Sequence, residues 1–157
     1  MIIKSYEIQK NKSNFSKYNS FLLYGENQGL KKDIRKFIKA ALEQKDSNTE
    51  ILSVYEDEIL KNEENFYNFI YGGSLFNSKK IITIYEATDK IIQKISDFYD
   101  KYPENIFLII FSEILEKKSK LRNFFEKNKK TICVPCYLDN EKDLRIIAQL
   151  EFKKNNI

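Results

Sequence analysis

Five short apolar runs, separated by stretches in which apolar residues recur every three or four positions, constrain this chain more than any other feature. The runs are SFLLYG (20–25), TEILSVY (49–55), KIITIY (80–85), NIFLIIF (105–111) and TICVPC (131–136). Each has the length and β-branched or aromatic content of a strand. Between them, Leu30, Ile34, Phe37, Ile38, Ala41 and Leu42 fall on one helical face, and Phe66, Phe69 and Ile70 mark a shorter helix that Gly72 and Gly73 end. Ile91, Ile92, Ile95, Phe98 and Tyr99 form a third stripe ahead of Pro103, and Ser119 is placed to cap a helix that buries Leu121, Phe124 and Phe125. Residues 140–157 continue as a helix with Leu144, Ile147 and Ala148 expected to face inward. Strands alternating with helices imply a parallel sheet covered on both faces, so the fold class is α/β: three layers around a five-stranded parallel sheet. NIFLIIF holds no charged residue and is the expected central strand.

At 157 residues, with 42% hydrophobic and 32% charged residues, the chain is sized and composed for one folded core. It has no run of about 20 apolar residues, and MIIKSYEIQKNK lacks the apolar core of a secretion leader. A cytoplasmic protein without membrane contact is expected. The 27 basic and 23 acidic residues are interleaved, giving a net charge of +4 and no basic arm. Lys79, Lys80, Lys117, Lys118 and Lys120 are the candidate phosphate contacts if the chain is a simple DNA-binding module. Cys133 and Cys136 stand in C-x-x-C spacing, open to three readings: a redox dithiol, half a zinc site, or two small packing residues. Zinc requires about four ligands, and the chain has no other Cys and no His, so no metal site is expected. Without His the commonest general base is also missing.

In a sheet of this kind, nucleotides bind at the turn after the first strand. That turn is GENQGLKK, residues 25–32. A phosphate-binding loop reads G-x-x-x-x-G-K-[ST], because glycines let backbone N–H groups surround phosphate and a hydroxyl holds magnesium. Gly25 and Lys31 match. Gly29 lies one position early, Leu30 stands where the second glycine belongs, and Lys32 replaces the hydroxyl residue. After the third strand, IYEATDK separates Glu86 from Asp89 and offers no adjacent acidic pair for magnesium. A degenerate nucleotide site without cofactor is expected; an active phosphate-loop protein is the alternative.

Residues 72–76 read GGSLF and run on into NSKKIITIY. Glycines, Asn77, Ser78 and two lysines suit an exposed loop, whereas Leu75 and Phe76 suit a buried surface. The conflict suggests a partner, or else an apolar pair folded back on the core.

The degenerate phosphate loop, the SLF after the second helix, and the stretches LFNSKKIITIYEATDK, EKKSKLRNFFEK and VPCYLDNEKDLRIIAQ together resemble the delta subunit of the bacterial DNA polymerase III clamp loader. The resemblance spans nearly the whole chain. It implies an AAA+-type first domain (residues 1–140) that has lost nucleotide binding, and a helix (141–157) opening a second, helical domain whose remainder, with a collar domain, is absent. It further implies a non-catalytic subunit of the DNA polymerase III holoenzyme in DNA replication. Such a subunit binds the beta sliding clamp and helps open the ring for loading onto primed DNA, beside the gamma/tau and delta prime subunits. The family's clamp-contacting apolar pair falls on Leu75 and Phe76, preceded by Ser74. Clamp-binding peptides often carry Gln and a further apolar residue upstream, where this chain has Tyr71, Gly72 and Gly73, so Tyr71 is the upstream candidate.

Overall fold

The computed structural model describes residues 1–43, 48–72, 78–101 and 103–156. Among them are five strands, β1 (Ser20–Tyr24), β2 (Thr49–Tyr55), β3 (Lys79–Tyr85), β4 (Ile106–Ser112) and β5 (Thr131–Pro135), and six α-helices. The helices are α1 (Gln28–Glu43), α2 (Glu56–Lys61), α3 (Glu63–Tyr71), α4 (Ile92–Asp100), α5 (Lys120–Lys127) and α6 (Glu141–Lys154). All strand pairs are parallel, in the order β2-β3-β4-β1-β5. The sheet is therefore the expected five-stranded α/β sheet, with β4 at its centre and every β4 residue buried.

Side chains alternate across each strand, so the register divides the core into two layers. Leu22 lies opposite Ile110 and Cys133, and these residues face Ile59, Phe66, Ile95, Phe98 and Phe125 from α2 to α5. Phe21 lies opposite Ile109 and Ile132, on the face covered by Ile34, Ile38 and Leu42 of α1. Each fully buried side chain of this size contributes about 1.5–3 kcal/mol before entropy is counted.

The sequence reading differs from the fold at three places. The polar amino-terminal stretch is not a mere lead-in: Ser5–Lys17 forms a 3-10 segment that buries Ile8 and Phe15. Phe15 packs edge-on to Phe21 and Phe37 at 5.6 and 5.8 Å, and Ile2 adds a parallel bridge to Cys133 at the β5 edge. Helix α2 went unread because six residues are too few to display a period. The third difference is at α6, where Leu144, Ile147 and Ala148 do not face inward. No residue of α6 is buried, and Leu144 and Ile147 are 53% and 42% exposed. Helical spacing identifies an apolar stripe but not whether anything lies against it.

Candidate functional site

Two places at the rim of the sheet carry the residues singled out from sequence. The first is the turn between β1 and α1. Gly25 adopts φ +126°, and a Cβ there would stand 2.2 Å from the Cys136 carbonyl oxygen, so only glycine fits. Its N–H points to the carbonyls of Ser112 (3.3 Å) and Glu113 (3.1 Å), and the Asn27 N–H donates to the Cys136 carbonyl at 3.0 Å. The Asn27 side-chain oxygen accepts from the Leu30 N–H at 3.1 Å. Backbone donors that would face a phosphate in an active loop are thus consumed by the chain itself.

Lys31 completes the closure. It is 1% exposed, and its ammonium donates to the Ser112 carbonyl at 2.8 Å and reaches the Glu113 carboxylate at 3.5 Å. Gln28 donates to the same carboxylate at 2.6 Å. Leu30 is partly buried against the α1-side core, Lys32 is exposed, and a side chain at Gly29 would have room, its nearest neighbour being 3.7 Å away. Of the five loop positions, only Gly25 and Lys31 are structurally constrained.

The acidic residues after β3 do not converge on this turn. Glu86 is exposed at φ +54°. Asp89 accepts hydrogen bonds from the Ser119 hydroxyl (2.6 Å) and from the N–H groups of Lys120 and Leu121 (3.0 Å each), holding the start of α5. Desolvation pushes its carboxyl up, but those hydrogen bonds and the Lys120 charge outweigh it and keep the pKa below the ordinary value. Glu56, which the sequence did not flag, is buried and accepts from the Thr88 N–H and hydroxyl, both at 2.7 Å.

Cys133 belongs to the core layer beneath α5 and Cys136 to the layer beneath α1, on opposite faces of the sheet. Both are buried free thiols, pushed by desolvation up to about 12. Of the three readings, packing fits this placement. Among the described residues no group of three or more His, Cys, Asp or Glu is positioned to hold a metal ion, and no described helix is long and apolar enough to cross a membrane.

The second place is the junction of α3 and β3. Residues 73–77, with Ser74, Leu75 and Phe76, lie outside the described residues; the flanks are defined. Tyr71, the last residue of α3, is 48% exposed and stacked on Tyr67, with ring centroids 6.2 Å apart. The Gly72 N–H caps the helix on the Asn68 carbonyl at 2.7 Å, and a Cβ at Gly72 would meet that oxygen at 2.2 Å. On the other flank, the buried Ser78 donates its hydroxyl to Glu50 at 2.5 Å, and its carbonyl accepts from the Asn105 amide at 2.8 Å.

Lys79 and Lys80 correct the DNA-binding reading. The Lys79 ammonium donates to the Leu42 carbonyl at 2.7 Å, at the end of α1, and lies 5.6 Å from the Phe107 ring centroid. Lys80 is 4% exposed and donates to the carbonyls of Phe69 (2.5 Å) and Gly72 (2.7 Å). Neither charge is presented to a phosphate backbone. Lys117, Lys118 and Lys120 are exposed, with Lys118 paired to Glu116 at 3.0 Å. Two of the five candidate contacts are therefore structural, and a Lys beginning a buried strand was the available signal.

The chain superposes on the Bacillus subtilis DNA clamp loader delta protein (YqeN) with a TM-score of 0.65 at 12% identity, over 96% of this chain and 48% of that one. It thus spans about half the length of that protein, and at this identity the likeness is one of fold. Domain III of the Thermotoga maritima replication initiation protein DnaA gives a TM-score of 0.46 at 11% identity, over 97% of this chain and 68% of that one. No curated protein matches the chain. The family model described as DNA polymerase III, delta subunit, matches residues 21–137, from the second residue of β1 to just beyond β5. With most of its length so matched, the chain belongs to the DNA polymerase III delta subunit family.

Proposed function

We propose that this chain is the clamp-contacting part of a clamp-loader delta subunit in DNA replication. Leu75 and Phe76 dock in an apolar pocket of the beta sliding clamp, with Ser74 and Tyr71 beside them. The observation that carries this reading is the family match across residues 21–137, which contains the SLF segment. It is supported by the flanks: Tyr71 presents an exposed aromatic ring, and Ser78 is tied to Glu50 and Asn105. Aromatic and aliphatic anchors entering a pocket carry most of an interface's energy, about 2 kcal/mol or more for each truncation. The module works without making or breaking a bond. It need only bind the open ring more tightly than the closed one to shift the ring toward opening.

Nucleotide hydrolysis is no part of the proposal. Lys31 engaged on Ser112, and the turn's N–H groups engaged on Ser112, Glu113 and Cys136, support a site that no longer accepts phosphate. In the longer protein the same reading includes the gamma/tau and delta prime subunits and primed DNA as partners. It also makes α6 the opening helix of a second domain, supported by the absence of any buried residue on it. Titration of the chain against the sliding clamp from the same organism tests the proposal. Wild type binds, and Leu75→Ala with Phe76→Ala loses about 4 kcal/mol of binding; an affinity unchanged by the double substitution refutes the assignment of the anchors.

A further inference from the structure

Lys79 and Lys80 are neighbours in sequence with the same chemistry, yet they serve opposite faces of the sheet. Successive strand residues alternate in direction, so Lys79 reaches the carboxyl end of α1 and Lys80 that of α3. A helix end leaves carbonyls unpaired and carries partial negative charge, which an ammonium satisfies. At Lys80 the match is close to complete: two carbonyls at 2.5 and 2.7 Å, and the Phe69 ring centroid at 5.1 Å. Burying an ammonium is expensive unless it is fully paired, and the residues that follow, Ile81 to Ile84, are all buried without a charge. Packing alone would be served by another Ile. One of Lys80's acceptors is the carbonyl of Gly72, directly before residues 73–77, and Lys80 itself follows them by three positions. Its side chain thus spans the two flanks of that segment.

We propose that Lys80 is the positioning residue of the clamp-contacting segment: by tying the end of α3 to the start of β3, it fixes where the segment leaves and rejoins the fold. The inference rests on the clamp-binding reading above. Fixed flanks reduce the ordering cost that docking of the segment would otherwise carry, so affinity for the clamp depends on a residue that need not touch it.

The experiment compares Lys80→Met with Lys79→Met. Both keep most of the apolar stem and remove an ammonium that caps a helix, but only Lys80 caps the helix that precedes the segment. Clamp affinity is titrated at a temperature where circular dichroism shows every variant folded. The expected result is a loss of about tenfold for Lys80→Met and under about twofold for Lys79→Met. Lys80→Arg recovers most of the affinity. In a chain already carrying Leu75→Ala and Phe76→Ala, Lys80→Met causes no further loss, because the two act through one segment. If Lys80→Met does not fold, Lys80→Gln, which keeps a neutral donor on a shorter stem, is read by the same comparison. Equal losses for Lys80 and Lys79 variants, or none for Lys80, overturn the inference while Leu75 and Phe76 remain the anchors. Failure of the wild-type chain to bind, or no loss in the Leu75→Ala, Phe76→Ala chain, removes the clamp-binding reading and this inference with it.

Discussion

The turn after β1 and the junction of α3 with β3 are both built around a buried lysine, and the two lysines do opposite things. Lys31 reaches from a helix to the carbonyl of Ser112 at the end of β4, filling the place where a phosphate would sit in a nucleotide-binding relative of this sheet. Lys80 reaches from a strand to the end of α3 and braces the flank of a segment that carries two large apolar residues. One lysine closes a site inward; the other holds the edge of a surface. The difference teaches that a basic residue beside a glycine-rich stretch has no fixed meaning. What it does depends on whether unpaired carbonyls lie within reach of its stem.

The comparison breaks most visibly at the glycines. Gly25→Ala meets both a positive φ and a backbone oxygen 2.2 Å from the new Cβ, and is expected to cost about 3 kcal/mol or more. Gly72→Ala meets a backbone oxygen at the same distance but no unfavourable φ, and should cost less, about 1–3 kcal/mol. Urea unfolding of both variants checks the order; equal costs would mean that φ at Gly25 is not strained.

Lys31→Ala sharpens the account of the closed turn. It removes the charge-assisted bond to Ser112 and leaves a cavity, so stability should fall by about 2 kcal/mol, and no affinity for magnesium ATP should appear. A gain in nucleotide binding by calorimetry would show that Lys31 alone was blocking the turn.

Asp89→Asn probes the rim between the two places, with an expected loss of about 1 kcal/mol at pH 7 from weaker capping of α5. The native carboxyl has a lowered pKa, so its stabilisation is complete above the unfolded value near 3.9 and is lost as pH falls through the native value. The gap between wild type and variant should therefore hold from pH 7 to about pH 5 and close below about pH 4; denaturant midpoints across that range measure it. The smallest effect is expected at α6. Leu144→Ser with Ile147→Ser should change stability by under about 0.5 kcal/mol, because no α6 residue is buried; a larger loss in thermal unfolding would contradict that exposure.

Much of the fold was legible because strands covered on both faces cannot hide. NIFLIIF and KIITIY announce themselves by composition, β2 was bounded to the residue, and Ser119 was recognisable as a cap that accepts from Arg122. The substitutions at Leu30 and Lys32 likewise marked the altered loop. The capping partners were not legible. Asp89 and Ser119 lie 30 residues apart, Glu56 and Thr88 32, and Lys31 and Ser112 81, separations across which local pattern carries no information.

What the sequence by itself determined was the periodicity: which segments are strands, which are helices, and so a parallel α/β sheet, since burial on one face or two leaves a repeat of 2, of 3.6, or a continuous apolar run. It also carried the family resemblance through the order of its motifs. Only the tertiary structure decided where each long polar side chain finds its partner and which apolar stripes are covered. Lys31 and Lys80 became internal caps, and α6 stayed bare, because hydrogen bonding and burial are properties of what the fold brings near, and neither is written in a residue's immediate neighbours.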